Sequence, residues 1–124
     1  IRILASIKSK FIISYKEAFY DQSLNLLCIV MEYANGGDLQ KVISDCKKAN
    51  KNMSEEKICK AASEILIGLY ILHEKGILHR GLKSANVFIS NDVCKLGDLN
   101  VSKISYEKDL MARTQTGTPY YASP

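Results

Sequence analysis

The chain has 124 residues, 47% of them apolar and 24% charged, with a net charge of +4, which leaves room for one domain with a core of its own. Its longest apolar runs, such as residues 26–31, are strand-sized and bounded by polar residues, so no membrane span is expected. The lysines are spread over several segments without interleaved aromatics; a solvated helix face accounts for them, and nucleic-acid binding is not expected.

Residues 1–10 mix apolar and basic positions at helical spacing and lack the apolar core and small-residue cleavage site of a secretory signal, so a cytoplasmic setting is the default. Ile3, Leu4 and Ile7 fall on one helical stripe with no capping residue before Ile1. The expectation is a chain that begins inside a helix, with further sequence ahead of it. Residues 12–19 and 24–33 are rich in β-branched, aromatic and apolar types around the polar stretch 20–23, which reads as two antiparallel strands. The turn Asn35-Gly36-Gly37 follows.

Asp38 is placed to cap a short surface helix whose stripe is Leu39, Val42, Ile43 and Cys46. Ser54 is placed to cap the longest and most buried helix, with Glu55 and Glu56 in its first turn and a stripe of Ile58, Ala62, Ile65, Leu69 and Leu72 running up to Gly76. Beyond Ile77-Leu78, residues 87–89 and 93–96 flank Asn91-Asp92, the pattern of a tight hairpin. The rest, 98–124, reads as polar loop. Cys28, Cys46, Cys59 and Cys94 form no C-x-x-C pair and read as small packed hydrophobes rather than metal ligands or disulfide partners.

The chemistry is concentrated in the loops. His79-Arg80-Gly81-Leu82-Lys83-Ser84-Ala85-Asn86 matches the catalytic-loop pattern H-R-D-L-x-x-x-N except at Gly81. Twelve residues past Asn86, Asp98-Leu99-Asn100 stands after a hairpin strand, where a magnesium-binding D-F-G motif belongs. Ser123-Pro124 stands where the first two residues of A-P-E belong. Three motifs in this order, at these separations and on these elements, are far more specific than one.

Together they resemble a eukaryotic serine/threonine protein kinase catalytic domain. Met31-Glu32-Tyr33-Ala34-Asn35-Gly36-Gly37-Asp38-Leu39 and Gly117-Thr118-Pro119-Tyr120-Tyr121-Ala122-Ser123-Pro124 are similar to the hinge and activation segment of the NIMA-related family. The resemblance implies an α+β, protein kinase-like fold: a partial domain over residues 1–124, covering the end of helix C, strands 4–5, the hinge and the N-terminal part of the C-lobe. Residues 1–34 would be the N-lobe remnant and hinge, and residues 35–124 the C-lobe part through the activation segment.

By the same resemblance, ATP and Mg2+ are the cofactors. Met31 would be the gatekeeper, Glu32 and Ala34 would face adenine, Asp38 would lie near the ribose, and Phe88 would lie beneath the base. Lys83 would stabilise the transferring phosphate, and Asn86 and Asp98 would hold the metal. Thr118 would contact the catalytic loop, and Thr114 is the activating phosphorylation position, where phosphate could pair with Arg80. Leu4, Tyr15, His79 and Leu99 match the apolar column that couples the two lobes, although each also reads simply as core.

Gly81 stands where the family has its catalytic aspartate and supplies neither a base nor an orienting group, so an inactive chain is expected. Asn100, which tolerates positive φ, is expected to preserve the turn after Asp98. No glycine-rich loop or V-A-I-K lysine occurs in the sequence. The long helix is expected to lack part of its cover and the isolated chain to be marginally stable. Two other readings stay open: a pseudokinase serving as a protein-binding scaffold, and a non-functional relic. The protein substrate is unknown, and the family's associations with nucleus, centrosome and cilium base are analogy.

Overall fold

The computed structural model describes residues 5–99, 103–104 and 119–121. Strands β1 (Tyr15–Asp21) and β2 (Leu26–Met31) form an antiparallel pair, followed by helices α1 (Leu39–Lys48) and α2 (Glu55–Glu74). Strand β3 (Ile77–Leu78) pairs with β6 (Lys103–Ile104), and between them a 3-10 turn (Ser84–Asn86) leads into the hairpin β4 (Val87–Ser90) and β5 (Val93–Leu96). A last 3-10 turn spans Pro119–Tyr121. Strand β6 and this turn fall in the segment 98–124 expected to be loop.

The first hairpin begins and turns later than its composition suggests. The Asp21 carboxylate accepts hydrogen bonds from the amides of Ser23 at 2.9 Å and Leu24 at 3.2 Å, an Asx-type turn. That turn keeps Tyr20 and Asp21 in the strand and moves the reversal to residues 22–25. Ile12 is not part of β1: it makes a parallel bridge to Leu96 and is buried in the core.

Both expected caps are present. Asp38 Oδ1 accepts from the Lys41 amide at 2.8 Å, and Lys47 and Lys48 occupy the last turn of α1, where the helix dipole favours cations. Ser54 Oγ accepts from the Lys57 amide, and Glu55 and Glu56 occupy the first turn of α2. Helix α2 ends at Glu74, and two residues on Gly76, with a φ of 66°, carries the chain out while its amide donates to the His73 carbonyl at 2.8 Å.

The buried line of α2 is rotated from the expected stripe. Ala61, Gly68 and Leu72 are buried, Ile65 and Leu69 pack partly against the core, and Ala62 and Ile58 (52% exposed) face outward. The cause is Gly68: a Cβ there would stand 2.9 Å from the Phe11 carbonyl oxygen and 3.0 Å from Leu96 Cδ1. The helix seats on β5 at that point, and its contact line follows 61, 65, 68 and 72.

The β4–β5 hairpin turns at Asn91 and Asp92, both with positive φ, as a two-residue primed turn requires. Its two outer edges are covered by other parts of the chain. Leu96 donates to the Phe11 carbonyl at 2.9 Å and accepts from the Ile13 amide at 2.8 Å, while Ile89 accepts from the Gly36 amide and donates to the Gly37 carbonyl, each at 2.8 Å. The core gathers around it from Ile7, Ile12, Leu72, Ile77, Val87 and Leu96. Away from it, Leu26 and Leu27 on β2 and Leu66 and Tyr70 on α2 are more than half exposed. No described helix is long and apolar enough to cross a membrane.

Gly68→Ala is expected to destabilise the chain, against the usual gain of about 1 kcal/mol from alanine in a helix, because the added methyl meets backbone. Overpacking of roughly 1–3 kcal/mol outweighs the propensity gain, and a lower urea midpoint in chemical denaturation checks it.

Candidate active site

The loop after β3 is built by its own backbone and by two side chains. Asn86, 7% exposed, donates from Nδ2 to the Gly81 carbonyl at 2.7 Å; its amide donates to the Lys83 carbonyl at 2.9 Å, and its carbonyl accepts from the Gly97 amide at 3.0 Å. This one residue ties residues 81–83 to the segment that carries Asp98. With Nδ2 so engaged, Oδ1 is the Asn86 side-chain atom a cation could take.

His79, 3% exposed, accepts the Gly81 amide at Nδ1 (3.3 Å), so its proton sits on Nε2, which has no hydrogen-bond partner among the described residues. Burial pushes its pKa below the ordinary histidine value, and the nearby backbone carbonyls and the Asp98 charge only partly oppose this. Arg80 and Asp98 both have left-handed backbone, at φ 60° and 53°. Asp takes that region more readily than most residues, whereas for Arg it is a strained conformation of the kind found at functional loops. Asn100, expected to preserve the turn after Asp98, lies outside the described residues.

Between the end of β2 and the hairpin lies a cavity of about 520 Å³, within the range of small-ligand sites. Met31, Glu32, Ala34, Asp38, Phe88 and Asp98, all expected from sequence, line it together with Ile13, Lys41 and Gly97, which were not. Gly81, Lys83 and Asn86 belong to the adjoining loop and are not among its lining residues. Of the expected coupling column, His79 and Leu99 are buried and Tyr15 is half-buried. Leu4, Thr114 and Thr118 lie outside the described residues.

Phe88 can take its place because residue 97 is glycine: a Cβ at Gly97 would stand 2.5 Å from Phe88 Cε2. Sequence reasoning also missed a group of side chains that reach the site from other elements. Ser84 Oγ hydrogen-bonds Gln40 of α1 and the Tyr121 hydroxyl, the latter at 3.0 Å, and Lys95 and Ser90 of the hairpin hold the Glu32 carboxylate. None of these pairs is close in sequence, and no local motif marks them.

The loop 79–86 is thus joined through Asn86 to Gly97, which lines a cavity of small-ligand size together with Asp98. The family model of the protein kinase domain matches residues 1–124, and the chain belongs to that family. Its curated relatives are serine/threonine kinases of the Nek type. It is 37% identical over 123 residues to serine/threonine-protein kinase Nek11 of Homo sapiens, covering 99% of this chain and 19% of that protein. It is 38% identical over 128 residues to probable serine/threonine-protein kinase nek2 of Dictyostelium discoideum (100% and 30%), and 37% identical over 130 residues to serine/threonine-protein kinase Nek2 of Mus musculus (100% and 29%). The chain thus spans between 19% and 30% of these relatives' length.

Two outcomes are expected from this geometry. Because the folded pKa of His79 is depressed, the unfolded chain binds more protons at mildly acid pH, so stability rises with pH up to the unfolded value of about 6.5 and falls below it. Thermal melts across that window should show the slope, and His79→Phe should flatten it. Gly97→Ala should lower the melting temperature by overpacking against Phe88, and adding Phe88→Leu should recover most of the loss, a non-additivity that a double-mutant cycle measures.

Proposed function

We propose that this chain is the nucleotide-binding and catalytic-loop portion of a NIMA-related serine/threonine kinase, that its cleft takes ATP with magnesium, and that phosphoryl transfer is crippled at Gly81. The observation that carries the reading is the junction of Asn86 with Gly81 on one side and with the Asp98 segment on the other. It supports the reading because Asn86 links residue 81 to Gly97, which lines the cavity together with Asp98.

Adenine would lie between the Glu32–Ala34 backbone and Phe88, and the ribose near Asp38. Among the described residues no cluster of three or more His, Cys, Asp or Glu could hold a metal alone. Magnesium in such sites takes only one or two protein oxygens and completes its shell with phosphate and water, and Asn86 Oδ1 with the Asp98 carboxylate fits that requirement. The bound ion would supply charge neutralisation at the phosphates. Lys83 would sit at the transferred phosphoryl group as a fixed cation.

Glycine at residue 81 has no atom to orient the substrate hydroxyl or accept its proton. Loss of general-base help costs about 10² to 10⁴ in rate, or roughly 3–5 kcal/mol of transition-state stabilisation. A nucleotide-binding pseudokinase that serves as a protein scaffold is the second reading, favoured by Gly81 itself. The protein substrate or partner and the cytoplasmic setting are parts of the same proposal.

Gly81→Asp is expected to raise phosphate transfer to a generic Ser/Thr peptide by about 10² or more, with ATP binding unchanged, in a radiolabel assay. Equal, measurable rates in both proteins would remove residue 81 as the cause. Undetectable transfer in both, with ATP bound, would favour the scaffold.

A further inference from the structure

Glu32 leaves the end of β2 and reaches the wall of the cleft with every hydrogen-bonding group of its carboxylate engaged from elsewhere. Oε1 accepts from Lys95 Nζ at 2.5 Å and from Ser90 Oγ at 2.9 Å, and Oε2 accepts from the Ser14 amide at 3.3 Å. Its own amide donates to the Ser14 carbonyl at 2.8 Å. The Lys95 and Glu32 side chains are 13% and 21% exposed, so the pair is largely withdrawn from water. Burial works against the Glu32 charge, but the hydrogen bonds from Lys95, Ser90 and Ser14 and the Lys95 charge outweigh it and hold the carboxyl below its usual pKa.

Lys95 and Ser90 come from the β4–β5 hairpin, whose Phe88 lines the cleft. Lys95 lies opposite Phe88 in the β4–β5 register, so the two side chains share one face of the hairpin, and Lys95 is three residues before Asp98. One ion pair therefore ties the cleft residue Glu32 to the hairpin that carries Phe88. A surface pair would set little, being screened and mobile. A half-buried pair with a third donor resists displacement, because loss of either partner strands a desolvated charge.

We propose that Lys95, with Ser90, is a positioning residue for purine recognition: by clamping Glu32 to the hairpin it sets the spacing between the Glu32–Ala34 backbone and Phe88, and so the width and register of the adenine slot. The inference rests on the reading that the cleft takes adenine nucleotide. Neither residue touches the base. Both act through Glu32.

The test is equilibrium binding of adenosine, ATP and guanosine to the full chain and its variants, well below each melting temperature. Adenosine carries no phosphate and needs no metal, so it reports the purine slot alone. Lys95→Met is expected to weaken adenosine binding about tenfold and Ser90→Ala about threefold, the loss of one charged and one neutral hydrogen bond, and to narrow the preference for adenosine over guanosine. Lys95→Arg, which keeps the charge, should stay within about twofold of the parent. Adenosine binding in Lys95→Met equal to that of the parent overturns the proposal, even if the melting temperature drops, since that is the result of a merely structural ion pair. Should Lys95→Met not fold, Ser90→Ala decides in the same way. If the parent chain itself binds neither adenosine nor ATP, the nucleotide reading fails and this inference falls with it; a binding parent with unaffected variants sinks the inference alone.

Discussion

The β4–β5 hairpin, eight strand residues closed by a two-residue turn, supports the rest of the described structure. A lone hairpin is marginal in water and leaves two edges of unpaired backbone groups. Here both edges are occupied, β5 by residues 11–13 in parallel and β4 by residues 36–38 in antiparallel fashion. These two segments flank the β1–β2 pair on either side, so the same backbone hydrogen bonds that complete the hairpin also tether that pair to it. Helix α2 closes the inner face where Gly68 lets it approach Leu96, and the buried side chains of Ile12, Leu72, Val87 and Leu96 meet there.

The candidate site inherits its geometry from this arrangement. Its wall is the chain leaving β2, its floor is Phe88 on β4, and its rim is Asp98, two residues beyond β5. Covering the hairpin edges therefore also builds the cavity. Phe88 and Gly97 are matched in size, one filling the space that the other leaves. The ion pair between Glu32 and Lys95 separately ties the end of β2 to the hairpin.

The catalytic loop keeps its form without help from the side chain at residue 81. Asn86 Nδ2 reaches the Gly81 carbonyl and His79 Nδ1 takes the Gly81 amide, so residue 81 is held by main-chain groups that any amino acid would offer. The strained backbone of Arg80 sits next to it. The identity of the side chain at residue 81 therefore does not enter these contacts. The apolar residues left exposed on β2 and α2 lie away from the loop and do not bear on its geometry.

By itself the sequence determined whatever depends on residues close together in the chain. The caps Asp38 and Ser54, the Asn91-Asp92 turn, and the motifs 79–86 and 98–100 are local, and each announces itself through side chains that satisfy nearby backbone or through a fixed spacing. Six cleft residues were legible because a family resemblance assigns them by position. The tertiary structure decided what depends on distance. It set which face of α2 is buried, since that is fixed by the approach of Gly68 to Phe11 and Leu96. It also turned Ile12 from strand into core bridge and joined Lys95 to Glu32 and Tyr121 to Ser84. The physical reason is the same in each case: hydrophobic periodicity and capping act within one element, whereas packing, edge pairing and shielded charge pairs exist only once separate elements meet.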